Sequence, residues 1–274
     1  MSKIALDEIG PVVLIGAGKM GLALARGWIG GGLPGGSLTL VDPQPGESTT
    51  AFAAETGATL RPKVPEGVAR VLVLAIKPQV MGEVLPALKP VVGPHTLVVS
   101  IAAGISIARI AEGLGTLRVI RTMPNTPAQI GQGISGAVAG EGADESDRAV
   151  ADALLAAAGE VVWVGSESAI DGVTAVSGSG PAYVFNFVEA LAAAAAEQGF
   201  SADEAMRLAR QTVIGAAALM AADPTPVETL RKNVTSPKGT TEAALGVLMA
   251  ADGLAPLVSR AVTAARRRSE ELGK

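Results

Sequence analysis

The chain has 274 residues, a net charge of −4, 49% hydrophobic residues, no cysteine and one histidine, His95. The missing Cys removes disulfides, thiol catalysis and thiolate metal sites. A lone His makes a His-based triad or a multi-His metal site hard to build, so no metal is expected. Basic residues are scattered as far as Arg266-Arg267-Arg268, a run that suits a helix C-terminus. Without a basic stripe, nucleic acid is not an expected partner. Met1–Gly10 carries Lys3, Asp7 and Glu8 and lacks the apolar core of a signal peptide. The longest uncharged stretch, Pro90–Ala108, contains Pro94, His95 and internal glycines and does not read as a membrane span. A cytoplasmic location is the expectation.

Taken in order, the first half alternates. Short apolar runs at Val12–Ile15, Leu38–Val41, Val71–Ile76, Thr96–Ile101 and Leu117–Arg121 read as strands. Helical spacing, first seen at Met20–Ile29, separates most of them. This texture predicts a doubly wound, Rossmann-type parallel sheet covered on both faces. Ile134–Val138 and Val161–Val164 read as further strands around a helix from about Asp144 to Ala158, and His95 sits in a surface turn. Beyond Gly165 the texture turns helical: Pro181–Gln198, Ala202–Met220, Pro226–Asn233, Thr241–Ala250 and Pro256–Leu272. Gly199 closes one of these helices, and Ser201 with Glu204 forms a capping box for the next. The expected domains are therefore a dinucleotide-binding domain over 1–164 and an all-α domain over 165–274. The Pro181 helix is apolar nearly all round, through Tyr183, Phe185, Phe187, Leu191 and an alanine run. Such a helix must be buried on several sides. Interlocking with a second copy satisfies that, and so does the interior of a monomeric bundle; the dimer is the favoured reading.

Gly16-Ala17-Gly18-Lys19-Met20-Gly21 follows one strand and opens a helix, the context a dinucleotide fingerprint requires. Gly16 permits the tight turn, Gly18 the approach of a pyrophosphate, and Gly21 close helix packing. The helix N-terminus offers N–H groups to phosphate. Asp42 ends the second strand, where the fingerprint expects an acid about 20 residues on. A carboxylate there binds ribose hydroxyls and repels a 2′-phosphate, which favours NADH slightly over NADPH; it can equally cap a turn before Pro43. Ala75-Ile76-Lys77-Pro78 ends the third strand, at the carboxyl edge where ligands of open α/β sheets sit. Lys77 there is either a cofactor contact or a solvated lysine.

Further motifs are specific. Arg121-Thr122-Met123-Pro124-Asn125-Thr126-Pro127, Ser177-Gly178-Ser179-Gly180-Pro181-Ala182-Tyr183 and Val234-Thr235-Ser236-Pro237-Lys238-Gly239-Thr240-Thr241 follow the N-terminal glycines in order. Together they closely resemble pyrroline-5-carboxylate reductases, from about Val12 to the last helix. The resemblance implies reduction of Δ1-pyrroline-5-carboxylate to L-proline with hydride from NADH or NADPH, the last step of proline biosynthesis. It implies a Rossmann domain followed by a helical dimerisation domain, in dimers that often assemble into decamers, with the substrate site at the dimer interface. Carried over by motif, Ser236, Gly239, Thr240 and Thr241 cradle the substrate, with Thr241 at the ring nitrogen. Ser177 lies beside nicotinamide and substrate. Asn233 and Val234 touch the cofactor, from the partner chain. Family members commonly have Gly where Lys238 stands; Lys238 either points to solvent or adds a cation near the substrate carboxylate.

The chemistry fits this composition. A protonated cyclic imine brings its own proton, so orientation matters more than a strong acid. Hydroxyls of Thr241 and Ser236 can donate and accept, and backbone N–H groups around Gly239 suit a carboxylate. The same segment also reads as a simple N-cap. Tyr183, the only tyrosine, reads as a packing residue rather than an acid, and Arg121 as a cofactor contact or a partner for an acid. Rival functions are a related imine reductase, a hydroxyacid dehydrogenase and a dinucleotide sensor without turnover. The hydroxyacid reading lacks its lysine at the start of the Pro181 helix.

Overall fold

The computed structural model describes residues 4–273. Met1–Lys3 lie outside the described residues, as does part of the N-terminal segment read above for a signal peptide. Two compact units emerge, one running to Ser179 and rejoined from Ala265 onward, the other spanning Gly180–Ala264.

The first unit is built on one eight-stranded sheet. Its strands are β1 (Val12–Ile15), β2 (Leu38–Val41), β3 (Thr59–Arg61), β4 (Val71–Leu74), β5 (Leu97–Ser100), β6 (Val119–Met123), β7 (Gly133–Ala139) and β8 (Gly159–Trp163). They lie in the order β3-β2-β1-β4-β5-β6-β7-β8. Helices α1 (Lys19–Gly30), α2 (Glu47–Thr56), α3 (Met81–Leu88), α4 (Ile107–Leu114), α5 (Glu145–Ala156) and α6 (Glu167–Val173) connect or flank them. Every residue of β1 and β4 is buried. Alternate residues feed two separate cores. Val12, Leu14 and Val73 join Trp28 and Phe52 on one face, while Val13, Ile15 and Leu72 join Met81 and Leu85 on the other. Burial on both faces is why these strands read as unbroken apolar runs rather than alternating ones. The Trp28 indole N–H donates to the Leu154 carbonyl at 2.8 Å and ties α1 to α5.

One pairing departs from the parallel pattern, and with it β7 and β8 both run opposite to the other six strands. β7 runs antiparallel to β6, and β8 is parallel to β7. The connection Pro124–Gln132 holds only the 3-10 turn Thr126–Ile130. A parallel return needs a crossover of a dozen or more residues, so this short link reverses the chain instead. The expected domain boundary at Gly165 lies inside the first unit. Glu167 of α6 ion-pairs with the buried Arg121 of β6 at 2.9 Å, with Asp171 at 3.9 Å, and this holds α6 on the sheet. Arg121 is thus the partner of acids. β3 and α6 had no signal in the sequence: β3 has three residues, none of them buried, and α6 has only seven.

The second unit contains α7 (Gly180–Glu197), α8 (Ala202–Ala222), α9 (Val227–Asn233), α10 (Thr240–Leu248) and most of α11 (Leu254–Leu272). α7 and α8 pack together. The expected capping box, Ser201 with Glu204, forms at α8, and the structure adds a second, Asp144 with Asp147, at α5 of the first unit. At α5, Asp144 accepts from the Asp147 N–H at 2.9 Å. That N–H, then the Ser146 hydroxyl, holds the Asp144 carboxyl below the usual carboxylate range. At α8, the Glu204 carboxylate accepts from the Ser201 hydroxyl at 2.6 Å and from its N–H at 3.0 Å. Those two bonds lower the Glu204 pKa in the same order. Among the described residues, no helix is long and apolar enough to cross a membrane.

Candidate active site

The glycine loop begins where β1 ends. Gly16 adopts φ +89°, and a Cβ there would lie 2.6 Å from the Ala75 carbonyl oxygen. Only glycine meets both conditions. Gly21 faces the Gly16 carbonyl so closely that no side chain fits between α1 and the loop. Around Gly18, by contrast, a Cβ would meet nothing within 4 Å. Gly18 is the N-cap of α1 and makes no side-chain cap bond. The first N–H groups of α1, those of Lys19 and Met20 among them, therefore receive no side-chain cap and can serve a phosphate.

Asp42, just past β2, is used twice by the backbone. Its Oδ2 accepts from the Ala17 N–H at 3.0 Å and its Oδ1 from the Gln44 N–H at 2.9 Å. Asp42 thus caps the turn before Pro43 through Gln44, and each of its oxygens retains a second lone pair. Thr49 of α2 completes the arrangement by donating its hydroxyl to the Ala17 carbonyl at 2.9 Å. The Ala17 peptide is thus held on both sides. Ala75, Ile76, Lys77 and Pro78 leave the end of β4, and Lys77 is exposed. Because β1 pairs with both β2 and β4, these three segments meet at one edge of the sheet. Connections leave β1 and β4 on opposite sides there, which makes the crevice a topological switch point. A cavity of about 520 Å³ beside the loop is lined by Gly18, Lys19, Asp42, Gln44, Thr49 and Gln129, with Arg26 at its wall.

Thr49, Gln129 and Arg26 were missed in the sequence. Thr49 and Gln129 lie far along the chain from the glycines, and Arg26 sits two turns into α1 with its guanidinium over Phe52, 5.2 Å from the ring centroid. No local spacing announces such neighbours. The TPAQI segment could have been noticed, because it follows a strand end in the same way as the Lys77 segment.

Ser177 belongs to the first unit. It sits in a π-helical turn, Thr174–Gly178, between α6 and α7, and its hydroxyl donates to the Val173 carbonyl at 3.1 Å. In the second unit, Ser236, Gly239, Thr240 and Thr241 come together in the turn between α9 and α10. Gly239 is the N-cap of α10, again without a side-chain cap. Its N–H donates to the Ser236 carbonyl at 3.0 Å, and a Cβ on it would fall 2.5 Å from the Ser236 Oγ. Thr241 is half-buried, while Ser236 and Thr240 are exposed. Lys238 has φ +59°, and its N–H donates to the Glu242 carboxylate at 2.6 Å. Asn233 and Val234, both exposed, end α9 just before this turn.

Comparison with known proteins bears on the whole chain. Residues 11–104 match the family model for NADP oxidoreductases, coenzyme F420-dependent, and residues 167–272 match the model for pyrroline-5-carboxylate reductase dimerisation. The pyrroline-5-carboxylate reductase of Pseudomonas aeruginosa is 41% identical over 96% of this chain and 97% of its own. The structure of the Coxiella burnetii enzyme of that name superposes with a TM-score of 0.89 at 34% identity, covering 97% of this chain and 99% of that one. A Plasmodium falciparum pyrroline carboxylate reductase, solved with NADP bound, gives 0.79 at 27% identity over 98% and 99%. Identity of this order across both units leaves one assignment: the chain belongs to the pyrroline-5-carboxylate reductase family.

Proposed function

We infer that the chain reduces Δ1-pyrroline-5-carboxylate to L-proline with hydride from NAD(P)H, closing proline biosynthesis. The observation that carries this reading is the side-chain-free cradle around Gly16, Gly18 and the uncapped start of α1, in a chain similar to reductases over nearly its full length. When bound, the dinucleotide supplies the hydride that adds to the carbon of the C=N bond. The ring nitrogen keeps its proton and takes the electron pair of that bond, so no strong acid is needed. Lys19, Met20 and the glycines hold the pyrophosphate, Asp42 the adenosine ribose, and Ala75–Pro78 border the cleft. Ser236, Gly239 and Thr240 hold the substrate carboxylate through hydroxyls and through N–H groups at the α10 N-terminus. Thr241 keeps its hydroxyl at the ring nitrogen, and Ser177 borders the substrate. Asn233 and Val234 reach the cofactor of a partner copy.

Asp42 disfavours a 2′-phosphate, so NADH is the better hydride source. The protein works in the cytoplasm as a homodimer that assembles further, to a decamer. The exposed apolar faces of α7 and α8 support a second copy as partner. The decisive experiment measures oxidation of NADH and of NADPH by the purified protein with pyrroline-5-carboxylate, beside Thr241→Ala. Turnover to proline, faster with NADH, is expected. Losing one hydrogen bond to a charged nitrogen should lower kcat in Thr241→Ala about 10- to 100-fold. Normal turnover in that variant removes Thr241 from the chemistry. Faster turnover with NADPH overturns the Asp42 argument while leaving the reaction intact.

A further inference from the structure

We propose that Asn125 is a positioning residue for this reaction: its buried side-chain amide fixes the π-helical turn that carries Ser177. The proposal rests on the reading of Ser177 as a substrate contact.

Asn125 follows β6 in extended conformation and is 7% exposed. Its Oδ1 accepts from the Ile134 N–H of β7 at 2.9 Å, and its Nδ2 donates to the Ser177 carbonyl at 3.1 Å. The two partners settle which end is which, since an N–H requires an acceptor and a carbonyl requires a donor. A side chain of this length that offers one of each is an asparagine.

The Ser177 carbonyl has a reason to need that donor. In a regular helix it would accept from the N–H four residues on. That residue is Pro181, which has no N–H. The chain at this point also leaves α-helical geometry for the π-helical turn Thr174–Gly178, in which the Ser179 N–H reaches back to the Thr174 carbonyl at 2.8 Å. π-turns of this kind concentrate at functional sites. Neighbouring hydroxyls stay within the helix: Thr174 donates to Ile170 and Ser177 to Val173. Asn125 instead ties the turn to the loop that follows β6. Close packing supports the tie, since a Cβ on Gly178 would lie 3.0 Å from Met123 Cε. With its proton given to Val173, the Ser177 Oγ is left as an acceptor, and Asn125 sets where that acceptor stands.

The test compares wild type with Asn125→Asp, Asn125→Ala and Asn125→Ala/Pro181→Ala. The aspartate keeps the acceptor for Ile134 but sets an oxygen against the Ser177 carbonyl. Expected for Asn125→Asp is a fall in kcat/KM for pyrroline-5-carboxylate of about 10- to 100-fold, the scale of a small misplacement at a reacting site. KM for NADH and NADH binding by fluorescence should stay within about twofold. Pro181→Ala restores a helical N–H and should recover part of the loss in Asn125→Ala. Hydrogen exchange across residues 174–179 should quicken in Asn125→Asp and Asn125→Ala. A loss shared equally by NADH binding, or one that tracks only the folded fraction, overturns the proposal. If wild type itself shows no turnover, the activity reading falls, and exchange alone decides: unchanged protection at 174–179 then overturns the positioning role.

Discussion

Leu72 of β4 and Phe185 of α7 are both large apolar residues inside regular elements, yet Leu72 is fully buried and Phe185 is 64% exposed. The contrast runs through the two units. In the first, strands and helices close two cores over both faces of the sheet. In the second, the buried residues among those described are alanines, Ala192, Ala205 and Ala209, while Phe187, Ile214, Leu219, Val247 and Leu257 face outward. A hydrophobic composition therefore does different work in each half. It closes the first unit on itself and leaves the second with apolar faces that call for cover.

The largest effect expected from breaking this contrast is at Phe185. Phe185→Glu places a charge on the face we assign to a second copy and should shift the protein to monomer, read by sedimentation equilibrium. An unchanged oligomer would remove α7 from the interface. Next comes Leu72→Ala, which should cost about 2–5 kcal/mol in chemical denaturation, with no dependence on protein concentration. Any destabilisation by Phe185→Glu should instead depend on concentration, as linkage to assembly requires. Equal behaviour of the two variants would erase the distinction drawn between the units.

How much of this was legible in the sequence also differs by region. β1 and β2 stand where the apolar runs at Val12–Ile15 and Leu38–Val41 predict them, because strands buried on both faces have an unbroken signal. The Ser201–Glu204 box was legible because capping is local. The reversal of β7 was not, since direction in a sheet depends on how long a connection is and where it lands. Nor was the use of Asp42 by two backbone N–H groups, or the neighbourhood of Thr49 and Gln129, which only the fold brings beside the glycine loop. The motif at Ser236–Thr241 was legible as composition, whereas the left-handed backbone at its centre was visible only in the structure.

That backbone gives the smallest effect and the finest comparison. In the first unit every left-handed residue is a glycine; in the second, Lys238 at φ +59° is the one non-glycine so placed among the described residues. A left-handed L-residue costs roughly 1–2 kcal/mol, offset in part by the extra entropy a glycine loses on folding, roughly 0.5–1 kcal/mol. Lys238→Gly should therefore stabilise the protein by up to about 1 kcal/mol, while Lys238→Ala, which removes the charge but keeps the strain, should not. The N–H donated to Glu242 belongs to the backbone and survives both changes. Equal stability of the Gly and Ala variants would show that the φ angle carries no strain. The same pair separates the two readings of the side chain. If its ammonium serves the substrate carboxylate, KM for pyrroline-5-carboxylate rises in both variants and the rise fades at high salt. If it points to solvent, KM is unmoved, and the lysine occupies a glycine's backbone at a cost in stability with no return in binding.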